Sequence, residues 1–187
     1  MPSGLKQIQV KYVPEEDRLL LAASTQDRRE YRIWVTRRMT ALVLEGIDRH
    51  LVTSAKSETA PAGTTSRDEE RLATASASNA PNAEMQAFRE DAALTKSDFS
   101  TPFNSDAEEY PLGRDGALAF RLQLGVTPEG RHRLALMPKE GQGIDLNLQE
   151  SQLFGLRKLL VDGIAKAGWR LPVGRKPLTV PQGATIN

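Results

Sequence analysis

YRIWVTRRMTALVLEGIDRHL, residues Tyr31–Leu51, decides the fold, because its periodicity changes partway along. Tyr31, Ile33 and Val35 alternate with Arg32, Trp34 and Thr36, the period of two expected of a strand with one buried face. From Met39 the apolar positions recur at three and four: Met39, Leu42, Val43, Gly46, Ile47, His50 and Leu51. That spacing lines one face of a helix. Thr36 stands at the junction, where its hydroxyl can accept from an unpaired N–H of the first helical turn. Arg37 and Arg38 fall in that first turn, where the helix dipole already presents partial positive charge. An anion at the helix start would relieve the conflict. The plain alternative is that both guanidiniums turn into water or pair with Asp27 and Glu30.

Working outward, Leu5–Val13 alternates Ile8, Val10 and Tyr12 with Gln7, Gln9 and Lys11, and Pro14–Asp17 supplies a turn. Arg18–Ala23 is a second strand, and a polar turn at 24–28 leads into the deciding stretch. The second half repeats the plan. Leu118, Phe120, Leu122 and Leu124 share one face of a strand, Thr127–Gly130 is a hairpin turn, and Arg131–Met137 returns. Ile144, Leu146 and Leu148 follow, and Leu153, Leu156, Leu160 and Ile164 then mark a helix that Gly168 ends, with Trp169 folding back. The reading predicts strands over 5–13, 17–24, 29–36, 117–125, 131–137 and 143–148, and helices over 37–52 and 149–167. The fold class is α+β: two antiparallel meander-plus-helix units, three strands then a helix, that share a core, either in one chain or through a homodimer, because neither alone buries enough surface.

The boundaries follow: a first unit over 1–53, an acidic and largely disordered linker over 54–109, a second unit over 110–171, and a Pro/Gly-rich tail over 172–187. From 54 to 82 the chain is Ala, Ser, Thr, Pro and Glu with almost no large apolar residue, too little to offset its ordering entropy. A short helix over 82–94 carries Met85 and Phe88, and Phe99 and Phe103 follow. These four are the candidate contacts for a protein partner; the alternative is a helix docked on the protein's own core.

The net charge of +1 hides an uneven distribution. Residues 1–56 carry +3, residues 57–110 carry −7 and residues 111–187 carry +5. Such asymmetry points to an electrostatic partner or to self-masking. There is no cysteine, which removes disulfides, thiolate zinc sites and cysteine nucleophiles. MPSGLKQIQV lacks the charged and apolar regions of a signal peptide, and no run reaches the roughly 18 apolar residues of a bilayer span. A cytoplasmic protein without membrane contact is expected.

Catalytic signatures are lacking. Gly141-Gln142-Gly143 lies in a turn before a strand, not at the start of a helix, and there is no phosphate loop or nucleophile elbow. His50 and His132 are the only histidines and have no carboxylates at ligand spacing, so neither a metal nor a cofactor is expected. The basic residues offer more. Arg32 and Trp34 point away from the core face of their strand, and an exposed Trp beside Arg suits base stacking with phosphate neutralisation. Arg131 and Arg133 form a second same-face pair. Arg32, Trp34, Arg37, Arg38, Arg131 and Arg133 are therefore the candidate nucleic-acid contacts, unless Trp34 is covered by the helix of the other half and the arginines are solvated edge charges.

EEDRLLL with YRIWVTRRM, and LNLQESQLFGLRKLL with AGW, resemble a family of small bacterial proteins, a likeness that implies no particular activity. The duplicated antiparallel sheet-plus-helix is similar in architecture to the Whirly-like single-stranded DNA-binding folds. That likeness implies nucleic acid held by a sheet face and its loops, in a homo-oligomer. The expectation is a non-enzymatic binding protein for single-stranded DNA or RNA, with a protein-interaction adaptor acting through the acidic linker as the alternative.

Overall fold

The computed structural model describes residues 4–58, 80–95, 98–99 and 101–171. Residues 59–79 of the expected linker and the tail (172–187) lie outside the described residues. The order is β1 (Leu5–Val13), β2 (Arg18–Thr25), β3 (Glu30–Thr36), α1 (Arg37–Glu58), α2 (Ala80–Thr95), β4 (Ala117–Leu118), β5 (Arg121–Val126), β6 (His132–Met137), β7 (Ile144–Leu148) and α3 (Glu150–Ala167). The architecture is α+β. Strands β1, β2 and β3 form an antiparallel meander, as do β5, β6 and β7. No described helix is long and apolar enough to cross a membrane.

The deciding stretch folds as its period implies. Ile33 and Val35 are buried, and the Met39 N–H donates to Thr36 Oγ1 at 3.2 Å, which caps α1. The helix runs to Glu58, one and a half turns past the expected end, because Thr53–Glu58 contains neither Pro nor Gly to stop it. At the other end of the fold, the Gln149 N–H donates to Gln152 Oε1 at 2.8 Å in the first turn of α3. Gly168, at φ 64°, closes that helix, and the chain turns back. Trp169 is buried edge-to-face against Tyr12, and its Nε1–H donates to Asp17 Oδ1 at 2.8 Å.

One strand departs from expectation. The segment 117–125 is divided: Ala117–Leu118 pairs with β3, in parallel, and Arg121–Val126 pairs with β6. The Ala119 N–H donates to Trp34 O and the next N–H, of Phe120, to Met137 O, both at 2.8 Å. The chain thus changes sheets over two residues, and small, buried Ala119 makes the corner. Gly116, at φ 78°, precedes it, and a Cβ there would stand 2.9 Å from Arg32 O.

The halves share one core, in which Leu19, Leu21, Ile33, Val43 and Ile47 join Leu134, Leu136, Ile144, Phe154, Leu156 and Leu160. Helix α3 lies on β1, where Gly163 lets Leu19 and Val10 approach, and α1 lies on the inner face of β5, where Gly46 makes room for Leu122 and Leu124. Helix α2 docks on α3, as the plainer reading of 82–94 had it. Arg157, on α3, joins the three helices: its Nε donates to Asp48 of α1 at 2.6 Å and its NH1 to Glu90 of α2 at 3.1 Å.

Candidate functional site

By strand alternation, Gln7, Gln9 and Lys11 of β1, Leu20, Ala22 and Ser24 of β2, and Glu30, Arg32 and Trp34 of β3 share the outer face of the first sheet. The expectation left this face open. The structure covers much of it with residues 101–116, which formed the end of the expected linker and the start of the second unit. The Lys158 ammonium of α3 sits 5.4 Å from the Phe99 ring, and three residues later Pro102 O accepts from Gln7 Nε2 at 3.2 Å. The segment therefore passes from the helix layer around the β1 edge onto the outer face.

It then crosses the row Gln7, Ser24, Glu30. The Asn104 N–H donates to Gln7 Oε1 at 3.0 Å, and Ser105 Oγ donates to the Glu30 carboxylate. Beneath this strap Ser24 is buried, and the Glu30 side chain keeps 2% of its exposure. Arg32 Nε donates to Glu30 Oε1 at 2.6 Å, so the buried carboxylate is paired.

Charge explains why an acidic segment lies here. Asp106 pairs with Lys6 at 2.8 Å, Glu108 with Arg28, and Glu109 with Arg29 at 2.8 Å. Asp106 is held below its ordinary value, chiefly by the hydrogen bond from Lys6, and Arg29 is held above its own, chiefly by the charge of Glu109. Main chain joins in, since the Glu108 N–H donates to Arg28 O at 2.8 Å and the Glu30 N–H to Glu109 O at 3.0 Å. Beyond Glu109 the Tyr110 ring lies 4.8 Å from the Arg32 guanidinium. Arg32 also donates to Arg114 O at 2.8 Å, and Trp34 Nε1–H to Asp115 O at 2.6 Å. Trp34 is thus covered by the other half of the chain, though by a loop and not by the helix.

The six expected contacts do not form one surface. Arg32 and Trp34 lie under the 110–116 loop. Arg37 and Arg38 are exposed at the start of α1 and make no ion pair among the described residues; Arg37 reaches only Arg170 O, at 3.4 Å. Asp27 and Glu30, the partners the plain alternative gave them, pair with Arg29 and Arg32 instead. Arg131 and Arg133 open into a cleft of about 600 Å³ between the sheets, which Tyr31, Gln123 and Asn147 also line. Tyr31 is on the opposite side of β3 from Arg32, so the cleft and the strap-covered face are distinct. Arg133 is engaged bidentately by Asp145 at 2.6 and 3.0 Å, which raises its pKa, whereas Arg131 makes no ion pair among the described residues.

The four expected protein contacts also divide. Phe88 stands 72% exposed on the outer side of α2, Phe99 is partly exposed beside Lys158, and Phe103 is half-buried in the strap. The side chain of Met85 lies outside the described residues.

Sequence reading missed one pairing. His50 on α1 and His132 on β6, 82 residues apart, meet with Nε2 and Nδ1 at 2.9 Å and ring planes at 83°. Burial first, and His132 second, lower the pKa of His50. No signal in the sequence links two isolated histidines at that separation. Among the described residues no group of three or more His, Asp or Glu is placed to hold a metal ion. In comparisons with protein-family models, curated proteins and solved structures, the chain matches none.

Proposed function

We propose that this chain is a non-enzymatic binding protein for single-stranded nucleic acid, and that its acidic strap occupies the binding face until the ligand displaces it. The observation that carries the reading is the kind of contact the strap makes. Three successive acidic side chains neutralise Lys6, Arg28 and Arg29, and an aromatic ring then stacks on Arg32. A single strand offers the same two elements, spaced anions and flat rings. Arg32 and Trp34 bind beneath the displaced strap, and Arg37 and Arg38 extend the track along the start of α1; Arg131 and Arg133, across β3, serve only a strand long enough to turn into the cleft.

The test is the change Asp106→Asn, Glu108→Gln and Glu109→Gln in the full chain, measured for binding to a labelled single-stranded oligonucleotide. The altered chain should bind at least tenfold more tightly than the unaltered one, and its affinity should fall steeply with salt because phosphate contacts release counterions. Absence of binding by both chains at low salt would sink the proposal.

The adaptor reading keeps one observation of its own, the exposure of Phe88 on a helix whose opposite side is docked. An exposed aromatic on a docked helix suits the apolar groove of a protein partner. Under that reading Phe88→Ala abolishes capture of a specific protein from extract and leaves oligonucleotide binding unchanged; retention of capture would refute it.

A further inference from the structure

We infer that β5 is a dimerisation edge, and that a second copy of this chain adds its own β5 antiparallel to it. Strand β5 ends its three-stranded sheet, and among the described residues no other strand pairs with its outer side. The Thr127 N–H donates to Arg131 O at 2.8 Å, and Gln123 stands opposite Ala135 in the same register. In an antiparallel ladder alternate residues turn their main-chain groups to the neighbour, so the odd-numbered residues serve β6. The N–H and C=O groups of Leu122, Leu124 and Val126 consequently point out from the edge. Large apolar side chains accompany them: Phe120 is 62% exposed, Val126 57% and Leu118 44%, with Leu42 of α1 exposed to a similar degree. A bare edge with apolar flanks invites another strand.

The sequence of the edge selects a copy of itself as the occupant. Place a two-fold axis at Gln123. Leu122 then stands opposite Leu124 of the second copy, on the face that already lies against α1, and Phe120, just before the strand, comes opposite Val126. Arg121 stands opposite Gly125, and Gln123 opposite Gln123, on the other face. No like charges oppose each other, and each apolar side chain meets another. The main chain agrees with the side chains at the centre of the contact: this register pairs Leu122 with Leu124, whose N–H and C=O groups turn away from β6, whereas the Phe120 N–H, at the margin, is already taken by Met137 O. Leu122 and Leu124 would exchange both hydrogen bonds across the axis. A register shifted by one residue would put the apolar row of one strand opposite the polar row of the other. The contact is isologous and closes on itself, giving a dimer with a continuous six-stranded sheet.

Light scattering on the full chain at tens of micromolar should give twice the chain mass. Phe120→Lys with Val126→Lys sets two lysines face to face on each side of the axis and should give a monomer. Phe120→Glu with Val126→Lys sets opposite charges face to face and should restore the dimer. Gln123→Cys, the only cysteine in such a chain, should cross-link across the axis under mild oxidation, whereas Asn147→Cys, exposed on β7, should not. Circular dichroism establishes that the double-lysine chain is folded; if it is not, the cross-link decides. A monomeric unaltered chain, a double-lysine chain that still dimerises, or equal cross-linking from both cysteines overturns the inference. So does a chain that dimerises only once residues 172–187 are removed, because the tail would then be the occupant.

Discussion

The two histidines make the most direct statement about pH. One ring nitrogen must donate to the other at 2.9 Å, so protonating both rings would set two N–H donors face to face. Burial lowers the pKa of His50 from its ordinary 6.5, so the folded chain holds that proton less well than the unfolded chain does. Stability from this source is complete above pH 6.5 and is lost as the pH falls through the lowered folded value. The melting temperature should therefore decline between pH 7.5 and pH 5, and His50→Gln should flatten that slope. An unchanged slope in the variant would show that carboxylates carry the pH dependence instead. Thr36 was legible as a cap because its role is local, set by residues three apart. The histidine pair was not, because only the packing of α1 on the second sheet brings the rings together.

At the scale of elements, the helices are joined by charge as well as by apolar contact. Arg157 keeps 14% of its exposure and serves Asp48 and Glu90 together. Burial works against its charge, but the hydrogen bond and charge of Asp48, aided by Glu90, outweigh that and hold its pKa above the ordinary value. Arg157→Met should destabilise the chain by about 1–3 kcal/mol, read from the urea midpoint, because it removes the cation that the half-buried Asp48 and Glu90 share. Adding Asp48→Asn should recover part of the loss; a strictly additive double variant would mean the two groups are not coupled. Helix and strand identities were readable throughout, since each buried face repeats at its own period. The division of 117–125 was not. The alternation of Leu118, Phe120, Leu122 and Leu124 runs unbroken in the sequence, but the core changes side at the corner: Leu118 is level with Trp34 on the outer face of the first sheet while Ala119 is buried, whereas Leu122 and Leu124 lie against α1.

For the molecule as a whole, the shared core was legible from arithmetic: two small sheets with one helix each bury too little apart. The strap was not, because its attachment rests on carboxylates and main-chain groups, which leave no hydrophobic period in the sequence. Its position also sets an order in time. Ser105 follows Glu30 by 75 residues. At about 5–20 residues per second of synthesis, that separation is an interval of roughly 4–15 s. Within it the meander and α1 are completed, and the outer face of the sheet has no cover. Glu30 then has Arg32 and Arg29 has Asp27 as near partners, and Lys6 and Arg28 are open to whatever anion is at hand, the ribosome's own RNA being the nearest. The strap arrives well after the face it covers, so each new chain must release any such contact before it can fasten its own cover.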